Sequence, residues 1–575
     1  MATDKTATVW TRATGTPRKL GLLMLAGDKV RFSYEDDAGD LPGISVAHDV
    51  PRVIGHPQEW TVTEKNPLPP MFQALIPPRT ASQALPNLQR QLLLHVLEAR
   101  NEARGGDIDW KMLLLAGRNG IGHLDVFQDD STAQAFYERD PSVRIAPISF
   151  NDNPLWEHAY RAVSGMSEAV SLDKIIETAG IRPSVGGAMP KLLLPILPPN
   201  GVPPVEALVK IQGEHQYPGI LHMEQAGYQV FERLGEAVPR RWFSEGADGK
   251  GPAVLATERF DRRGGLPVPM ESLFSIMYVG TNGGLQDRWS VEGSKAPNFE
   301  LVGDIVSNKA KFMADRSAAA KSFYRRIVAN LLIGNSDMHL ENFGFLGRHG
   351  SARLSPVYDP APTAGYRSLR CVSVTAFGGM PTAKEGIAYD FGDKVVELAA
   401  AFGVQRRKAL DVIDECLAVT ADYEDLIRGT GVQSAIADDL MASVWGVRHR
   451  VEQTAREARP LHVVAGREIP EEATEAVLYA RQMARIGPAW REEGVTPDAK
   501  RGMVRFYSPD DMAPTEFERR VEIMRRPEAY AAARDALIQR FAETNEKGFV
   551  AWEKTGRLPI EEPGRVRGRG LEFER

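Results

Sequence analysis

Cysteine is almost absent from this chain of 575 residues, which contains only Cys371 and Cys416. Two thiols in so long a chain exclude a disulfide framework and a cysteine-rich zinc site, as is typical of a reducing compartment. Long apolar runs are also missing, since none approaches the roughly 18 residues of a membrane span. Residues 1–12 carry charges and no apolar core, so we expect no secretory signal and a cytoplasmic, soluble protein without membrane contacts.

No one sign of charge dominates. The chain has 70 Lys and Arg against 76 Asp and Glu, a formal net charge of -6. This mild acidity argues against a dedicated nucleic-acid surface. A composition of 43% hydrophobic and 25% charged residues is that of an ordinary globular protein. The length exceeds what one core can organise and predicts two to four domains.

The first part of the chain alternates as strands do. Short β-type runs at Thr6–Trp10, Lys19–Leu25 and Lys29–Tyr34 are separated by Gly and Asp, which predicts a small antiparallel sheet. A glycine-rich turn at residues 117–122 then leads into a strand at His123–Phe127.

A proline-rich stretch at residues 190–204 is flanked by the apolar runs Lys191–Leu194 and Ala207–Ile211. With Asn200-Gly201 at its centre, it predicts two strands joined by a tight connection, the second strand carrying Lys210. A helix at Met223–Leu234 follows. Its Glu224 could pair with Lys210, although Glu232 and Glu236 are competing partners.

The most informative segment is Gly334-Asn-Ser-Asp-Met-His-Leu-Glu-Asn342. Before it, Phe323, Ile327 and Leu331 repeat at helical spacing and predict a buried helix that ends at Gly334. The loop then presents Asp337 and Asn342, and Asp359 follows Tyr358. An aspartate base, an asparagine five residues on and a later aspartate form the catalytic set of kinase-type phosphoryl transfer. The Asp-to-Asn spacing alone is weak evidence for a kinase site. The evidence is stronger here because the loop follows directly after a predicted buried helix.

Three further features fit nucleotide binding, each with an ordinary alternative. The loop Ser184-Val-Gly-Gly-Ala-Met-Pro-Lys191 could let backbone N–H groups approach phosphates, or could be a simple turn. Lys210 could reach the phosphates, although a lysine at a strand end is more often solvated. Glu258-Arg259-Phe260 could form an adenine-binding hinge, or a strand end with an ion pair among Glu258, Asp261, Arg262 and Arg263.

His339 lies inside the polar loop, where we expect it to brace the loop or contact the nucleotide. No second histidine at metal-ligand spacing accompanies it. Ser336 and Asp337 lack the context of a hydrolase nucleophile elbow.

These blocks, in this order, resemble the HipA-type serine/threonine kinases, the toxins of bacterial HipA–HipB modules. The resemblance spans most of residues 5–450. The segments that carry it are Leu115–Leu124, Ser184–Lys191, Val209-Lys210, Glu258–Arg262, Leu332–Asn342 and Tyr358-Asp359.

The resemblance implies an α+β, two-lobed, protein-kinase-like fold, with a mixed α/β N-terminal lobe that includes a small β subdomain and an all-helical C-terminal lobe. We predict a HipA-like N-terminal subdomain at 1–150, a nucleotide-binding lobe at 151–265 and a helical lobe with the catalytic loop at 266–460. Residues 461–575 are then a helical extension with an Arg-rich tail, of unassigned role.

The resemblance also implies ATP and Mg²⁺ as cofactors. Asp337 would be the general base, Asn342 and Asp359 the magnesium ligands, and Ser184 the site of an inactivating autophosphorylation. The implied nucleotide-site residues are Gly186, Gly187, Ala188, Met189, Pro190, Lys191, Lys210, Glu258, Arg259, Phe260, His339 and Tyr358.

The implied function is that of a toxin that phosphorylates a translation component such as an aminoacyl-tRNA synthetase. Its restraint would come from a HipB-like DNA-binding antitoxin on a separate chain, so that DNA is contacted only indirectly. Two alternatives stay open. One is a small-molecule or lipid kinase, which shares the catalytic loop, and the other is a catalytically silent nucleotide-binding scaffold in a repressor complex.

Overall fold

The computed structural model describes most of the chain up to residue 470. The described residues are 4–63, 67–78, 87–103, 105, 107–139, 146–151, 153–164, 168–180, 189–213, 217–245, 251–278, 298–369, 371–378, 392–458, 461–464 and 467–470. The predicted phosphate-loop residues 184–188 and the helical stretches predicted beyond residue 470 lie outside this set. The chain divides into two units, residues 1–452 and 453–575.

The strands are β1 (Lys5–Thr11), β2 (Arg18–Ala26), β3 (Lys29–Tyr34), β4 (Gln58–Thr61), β5 (Asp125–Phe127), β6 (Ile148–Ser149), β7 (Lys191–Leu197), β8 (Val205–Ile211), β9 (Arg241–Ser244), β10 (Val254–Glu258), β11 (Arg262–Arg263), β12 (Leu266–Pro267), β13 (Met270–Ser272), β14 (Gly344–Leu346), β15 (Arg353–Leu354), β16 (Leu461–Val464) and β17 (Arg467–Pro470). The helices are α1 (Val50–Val53), α2 (Pro70–Gln73), α3 (Leu88–Ala99), α4 (Ile108–Ala116), α5 (Asp130–Tyr137), α6 (Pro154–Val163), α7 (Glu168–Ala179), α8 (Ile220–Arg233), α9 (Leu273–Tyr278), α10 (Phe299–Asp304), α11 (Arg316–Ile333), α12 (Gly392–Ala401), α13 (Arg406–Val419), α14 (Tyr423–Arg428) and α15 (Ser434–Glu457).

The front of the first unit is a five-stranded sheet in the order β4-β3-β2-β1-β5. The pairs β1–β2, β2–β3, β3–β4 and β1–β5 are all antiparallel, as the alternating runs predicted. Its apolar face forms one core with residues of α2, α3 and α4, among them Phe32, Phe72 and Leu113. This front subdomain therefore has a hydrophobic core of its own.

A second five-stranded sheet, in the order β6-β7-β8-β10-β9, covers a second core that includes residues of α6 and α7. Strands β7 and β8 pair antiparallel with Lys191 directly opposite Lys210. Their connection contains Asn200 at φ 62° and Gly201 at φ 71°. Two consecutive left-handed residues fit the tight turns that match strand twist, for which Asn-Gly is the preferred pair. The predicted strand–turn–strand is confirmed.

The helical part is built around α11. Phe323 on this helix stacks on Phe343 at a 4.5 Å ring separation and on Phe402 at 5.4 Å. The helix ends at Gly334, which adopts the left-handed conformation at φ 72° expected of a glycine that terminates a helix. A β-carbon there would lie 2.8 Å from a methyl group of Leu440. The loop after Gly334 is thus anchored to a packed core, as predicted.

The region predicted as an all-helical lobe, residues 266–460, also contains a small antiparallel sheet of β13, β14 and β15. This sheet was not predicted, because strands of two or three residues are too short to show an alternating pattern. Of the helices in the described ranges, none is long and apolar enough to cross a membrane.

A buried ionic network joins the front subdomain to the second sheet. Asp261 accepts hydrogen bonds from Arg259 at 2.8 Å, from Arg262 at 2.9 Å and from the backbone N–H of Gly122 at 2.8 Å. Both guanidinium groups also donate to the carbonyl oxygen of Gly120, Arg262 at 2.8 Å. Gly122 has φ 79°, and a β-carbon on it would lie 2.9 Å from the carbonyl oxygen of Met270. The glycine-rich turn at 117–122 is therefore a docking element held by two arginines and one carboxylate.

Replacing Asp261 by alanine should strongly destabilise the protein, because it leaves two buried guanidinium groups without their counterion. We expect a loss of about 3–5 kcal/mol in the free energy of unfolding, measured by urea denaturation. Asp422→Ala is the matched control, since Asp422 pairs with Arg233 at 2.7 Å on the surface and should cost about 0–1 kcal/mol. Equal losses in the two variants would contradict a special role for the buried network.

Candidate active site

A cavity of about 160 Å³ lies between the second sheet, the loop after α11 and the front subdomain. It brings together most of the residues predicted for nucleotide and metal binding. These are Lys191, Lys210, Glu258, Arg259, Phe260, His339, Asn342, Tyr358 and Asp359. Met189 and Pro190 precede β7, whereas Ser184, Gly186, Gly187 and Ala188 lie outside the described residues.

Lys210 forms ion pairs with two carboxylates at the cavity. Its side chain is 4% exposed, and its Nζ lies 2.6 Å from Oε1 of Glu224, which is itself buried. The predicted pairing with Glu224 is confirmed, because the competing carboxylates have other partners: Glu232 pairs with Arg241 and Glu236 with Arg326. Lys210 also forms a very short ion pair with Oδ1 of Asp359.

Asp359 is held in place from several sides. Its backbone is in the left-handed region at φ 58°, which aspartate tolerates better than most residues. Its N–H donates to the hydroxyl of Tyr228 at 3.3 Å, and its carbonyl accepts from Asn335 at 3.3 Å. Helix α8 approaches this loop at Gly227, where a β-carbon would overlap the carbonyl oxygen of Pro360. The carboxylate is thereby fixed against the helix that carries Glu224.

A second buried lysine, Lys191, faces Lys210 across the β7–β8 pair, with its Nζ 3.7 Å from Oδ2 of Asp359. Burial lowers the pKa of Lys191, and the charge of Asp359 only partly offsets this effect. Burial by itself would also lower the pKa of Lys210, but Asp359 and Glu224 outweigh it and hold that pKa above its ordinary value. Burial would raise the pKa of Asp359, yet the two lysines depress it, so the carboxylate stays ionised.

The loop after α11 presents Asp337 to solvent, with a side chain 48% exposed. The Nδ2 of Asn342 donates to the carbonyl oxygen of Asp337 at 2.8 Å, which shapes the loop and leaves Oδ1 of Asn342 as the atom suited to a metal. His339 Nε2 lies 3.7 Å from Oδ2 of Asp337. His339 therefore lines the cavity and lies next to Asp337.

The other end of the cavity is apolar. The rings of Phe260 and Tyr358 lie 5.8 Å apart with planes tilted by 31°, and the Tyr358 hydroxyl donates to the carbonyl oxygen of Glu341 at 2.6 Å. The side chain of Glu258 pairs with Arg240. Arg259 is committed to the buried network around Asp261. At the end of β10, the aromatic wall expected of an adenine-binding hinge and the ion pairs of the ordinary alternative are thus both present.

Sequence reasoning missed the contribution of the front subdomain, since Ile44, Val46 and Met71 also line the cavity. The loop of Ile44 and Val46 is held by Glu271 on β13, which is buried and accepts hydrogen bonds from Ser45 at 2.6 Å and from the N–H of Val46 at 2.8 Å. No local pattern could have revealed this contact, because its partners are separated by more than 220 positions.

Comparison with known proteins agrees with this arrangement. Residues 183–423 match the family model of the HipA-like C-terminal domain. Over these residues, which are less than half of its length, the chain is similar to the HipA-like C-terminal domain. The resemblance read from its motifs is therefore confirmed.

Two curated relatives match part of the chain. A protein of Haemophilus influenzae named "Putative kinase" is 24% identical over 199 residues, which is 33% of this chain and 56% of the relative. "Putative kinase Y4dM" of Sinorhizobium fredii is 27% identical over 169 residues, 28% of this chain and 38% of the relative. The chain thus matches about half, or less, of the length of each.

Among solved structures, HipA of Shewanella oneidensis MR-1, from a complex with HipB and operator DNA, aligns with a TM-score of 0.52 at 15% identity. The alignment covers 78% of this chain and 99% of that one. At this identity the likeness concerns the fold, and it confirms the predicted α+β, kinase-like architecture of the HipA type.

Gly227→Ala should displace the Asp359 loop, because the new methyl group would occupy the position of the Pro360 carbonyl oxygen. We expect nucleotide affinity in the presence of Mg²⁺ to fall by roughly tenfold or more, as measured by calorimetric titration. Gly446→Ala is the matched control, since Gly446 is helical and a β-carbon there meets no atom within 4 Å. It should stabilise α15 by about 0.5–1 kcal/mol and leave binding intact. Unchanged binding in Gly227→Ala would show that the close approach is not needed.

Glu271 should make stability depend on pH. Burial is the main cause that raises its pKa, from an ordinary 4.5 to about 7. Between these values the folded state binds more protons than the unfolded chain, so this group's stabilising contribution is full below about pH 4.5 and is lost as pH rises through 7. Glu271→Gln should therefore unfold at higher denaturant than wild type at pH 8, by up to about 3 kcal/mol, and lose this advantage at pH 5.

The control for that comparison is Glu98→Gln on the exposed face of α3. Its free energy of unfolding should equal that of wild type at both pH values. A Glu271→Gln profile parallel to wild type would contradict the proposed titration.

Proposed function

We propose that this protein is an ATP- and Mg²⁺-dependent serine/threonine protein kinase of the HipA type. The observation that carries the proposal is that Lys210, Asp359 and Asn342 line one cavity. Glu224 pairs with Lys210 behind it, and Asp337 lies beside the cavity-lining His339. A lysine held by a helix carboxylate, an aspartate and an asparagine near the phosphates, and a more exposed aspartate are the parts that kinase-type transfer requires.

Asn342 and Asp359 suit magnesium. Both line the cavity, and both offer hard oxygen ligands. Within the described ranges, no group of three or more His, Cys, Asp or Glu side chains is placed to hold a metal. Two protein ligands are nevertheless enough for an ion that takes its remaining oxygens from phosphates and water. When bound, the ion would neutralise charge that develops on the transferred phosphoryl group.

The chain's own residues would have separate roles in phosphoryl transfer. Lys210 and Lys191 present positive charge to the phosphates, while Phe260 and Tyr358 offer an apolar wall to the base. Asp337 is exposed enough to accept the proton of an incoming hydroxyl, and the hydrogen bond from Asn342 to its carbonyl oxygen fixes its position. The proposal includes autophosphorylation at Ser184, where about two negative charges added beside the nucleotide site would repel ATP.

The biological role that we propose is that of the toxin in a toxin–antitoxin pair, acting on a translation component such as an aminoacyl-tRNA synthetase. The HipA from Shewanella oneidensis was solved with HipB and its operator DNA. By analogy, a HipB-like antitoxin on a separate chain is the expected partner, with DNA contacted through it.

Asp337→Ala should remove the base without disturbing nucleotide binding. We expect phosphate transfer to fall by about 10²–10⁴ while the dissociation constant for ATP and Mg²⁺ stays within a few-fold of wild type. Peptide mass spectrometry after incubation with ATP would detect phosphate on Ser184 and on added acceptors. Asp359→Ala is the informative comparison, because it should lose metal and nucleotide binding together.

Other outcomes would favour the alternatives. Wild-type protein that binds ATP but phosphorylates neither itself nor any lysate protein would contradict the protein-kinase proposal. Transfer to a metabolite would then identify a small-molecule kinase, and binding without any turnover a silent scaffold.

A further inference from the structure

Tyr217, at the turn before α8, has an unusual backbone conformation. Its φ is 45°, in the left-handed region that bulky side chains rarely adopt. Such residues persist only where the surrounding structure holds them, and they cluster at functional sites. The turn follows the strand that carries Lys210 and precedes the helix that carries Glu224.

Tyr366 holds this turn in place. Its hydroxyl donates to the carbonyl oxygen of Pro218 at 2.7 Å and lies 3.1 Å from that of Tyr217. The two tyrosine rings pack edge to face, with centroids 5.1 Å apart. Tyr366 is buried, whereas Tyr217 keeps part of its ring exposed to solvent.

The same short segment also braces the catalytic loop. Thr363 Oγ1 accepts from the N–H of Ser336 at 3.1 Å and lies 2.8 Å from its hydroxyl oxygen. The N–H of Ala364 donates to the carbonyl oxygen of Gly334 at 2.9 Å. Residues 363–366 thus fix the position of Tyr217 relative to Asp337. Consistent with their proximity, the pKa of Tyr217 is raised by burial and further by the charge of Asp337.

Tyr217 lies near Asp337 but does not line the cavity. The described residues that line the cavity include His339, Asn342 and Asp359, but neither Tyr217 nor Tyr366. Because attacking and leaving oxygens are roughly in line during phosphoryl transfer, the acceptor must approach Asp337 from the side opposite the nucleotide phosphates.

We propose that the ring of Tyr217, packed on Tyr366, forms one wall of the acceptor site and contacts the polypeptide segment whose hydroxyl Asp337 receives. This inference rests on the proposed kinase function. A tyrosine ring offers a rigid apolar face at little conformational cost, which suits contact with a peptide backbone or an aliphatic side chain beside the acceptor. The strained left-handed backbone of Tyr217 would orient that face toward the acceptor.

Tyr217→Gly tests the wall without a folding penalty from backbone strain, since glycine is at ease at positive φ. Asn101→Gly is the matched control, because Asn101 also has positive φ, at 57°, in an exposed turn after α3. The acceptor probe is a library of synthetic peptides, each with one serine or threonine between randomised positions. Steady-state kinetics would give separate KM values for peptide and for ATP.

We expect Tyr217→Gly to raise the peptide KM by roughly tenfold and leave the ATP KM within about twofold of wild type, the scale of one lost aromatic contact. Tyr217→Phe keeps the ring and should stay within about threefold for both, as should Asn101→Gly. A Tyr217→Gly enzyme with unchanged peptide KM, or with both KM values raised equally, would overturn the acceptor wall and leave the kinase proposal standing. A Phe variant as impaired as the Gly variant would also overturn it. Wild-type protein that phosphorylates itself or a lysate protein but no peptide would overturn the acceptor wall for a peptide segment. Wild-type protein that binds ATP but phosphorylates no peptide, no lysate protein and not itself would overturn the kinase proposal.

Discussion

The ion cluster of Lys210, Glu224 and Asp359 is the interaction on which the site depends. It joins a strand of the second sheet, helix α8 and the loop that carries Asp359, about 150 positions further along the chain. Charges this deeply buried are stable only when each has a partner. Removing Lys210 would leave the buried Glu224 without its counterion, so the geometry of the cavity and the stability of the lobe are coupled.

Two other buried groups hold segments of the front subdomain beside the same cavity. Asp261 and its two arginines dock the turn at 117–122, and Glu271 docks the loop at 44–46. Because residues of that loop line the cavity, the front subdomain is part of the site and not an appendage. Glu271 holds the loop at 44–46 through a carboxyl group whose ionisation in the protein interior is costly. Asp261, by contrast, is ionised and paired with arginine.

The sequence allowed local turns and one ion pair to be predicted better than the long-range packing. The Asn200-Gly201 turn, the end of α11 at Gly334 and the pairing of Lys210 with Glu224 could be anticipated, because each follows from local conformational preferences or from short-range charge. The sheet of β13–β15 and the role of Glu271 could not be anticipated, since strands of two or three residues show no periodic pattern and long-range contacts leave no local trace. Likewise, nothing in the sequence around Tyr217 signals a left-handed backbone, because glycine or asparagine would be the expected residue there.

The register of the β7–β8 hairpin has a consequence for how the gene can vary. Surface turns usually tolerate insertions and deletions, and the Asn200-Gly201 tip lies at the opposite end of the strands from the cavity. Here, however, the tip determines that Lys191 stands opposite Lys210. One added residue that shifted the pairing by a single position would turn one lysine to the other face of the sheet. Length variation should therefore be rarer at this exposed turn than at other loops of the protein, although no atom of the turn touches a substrate.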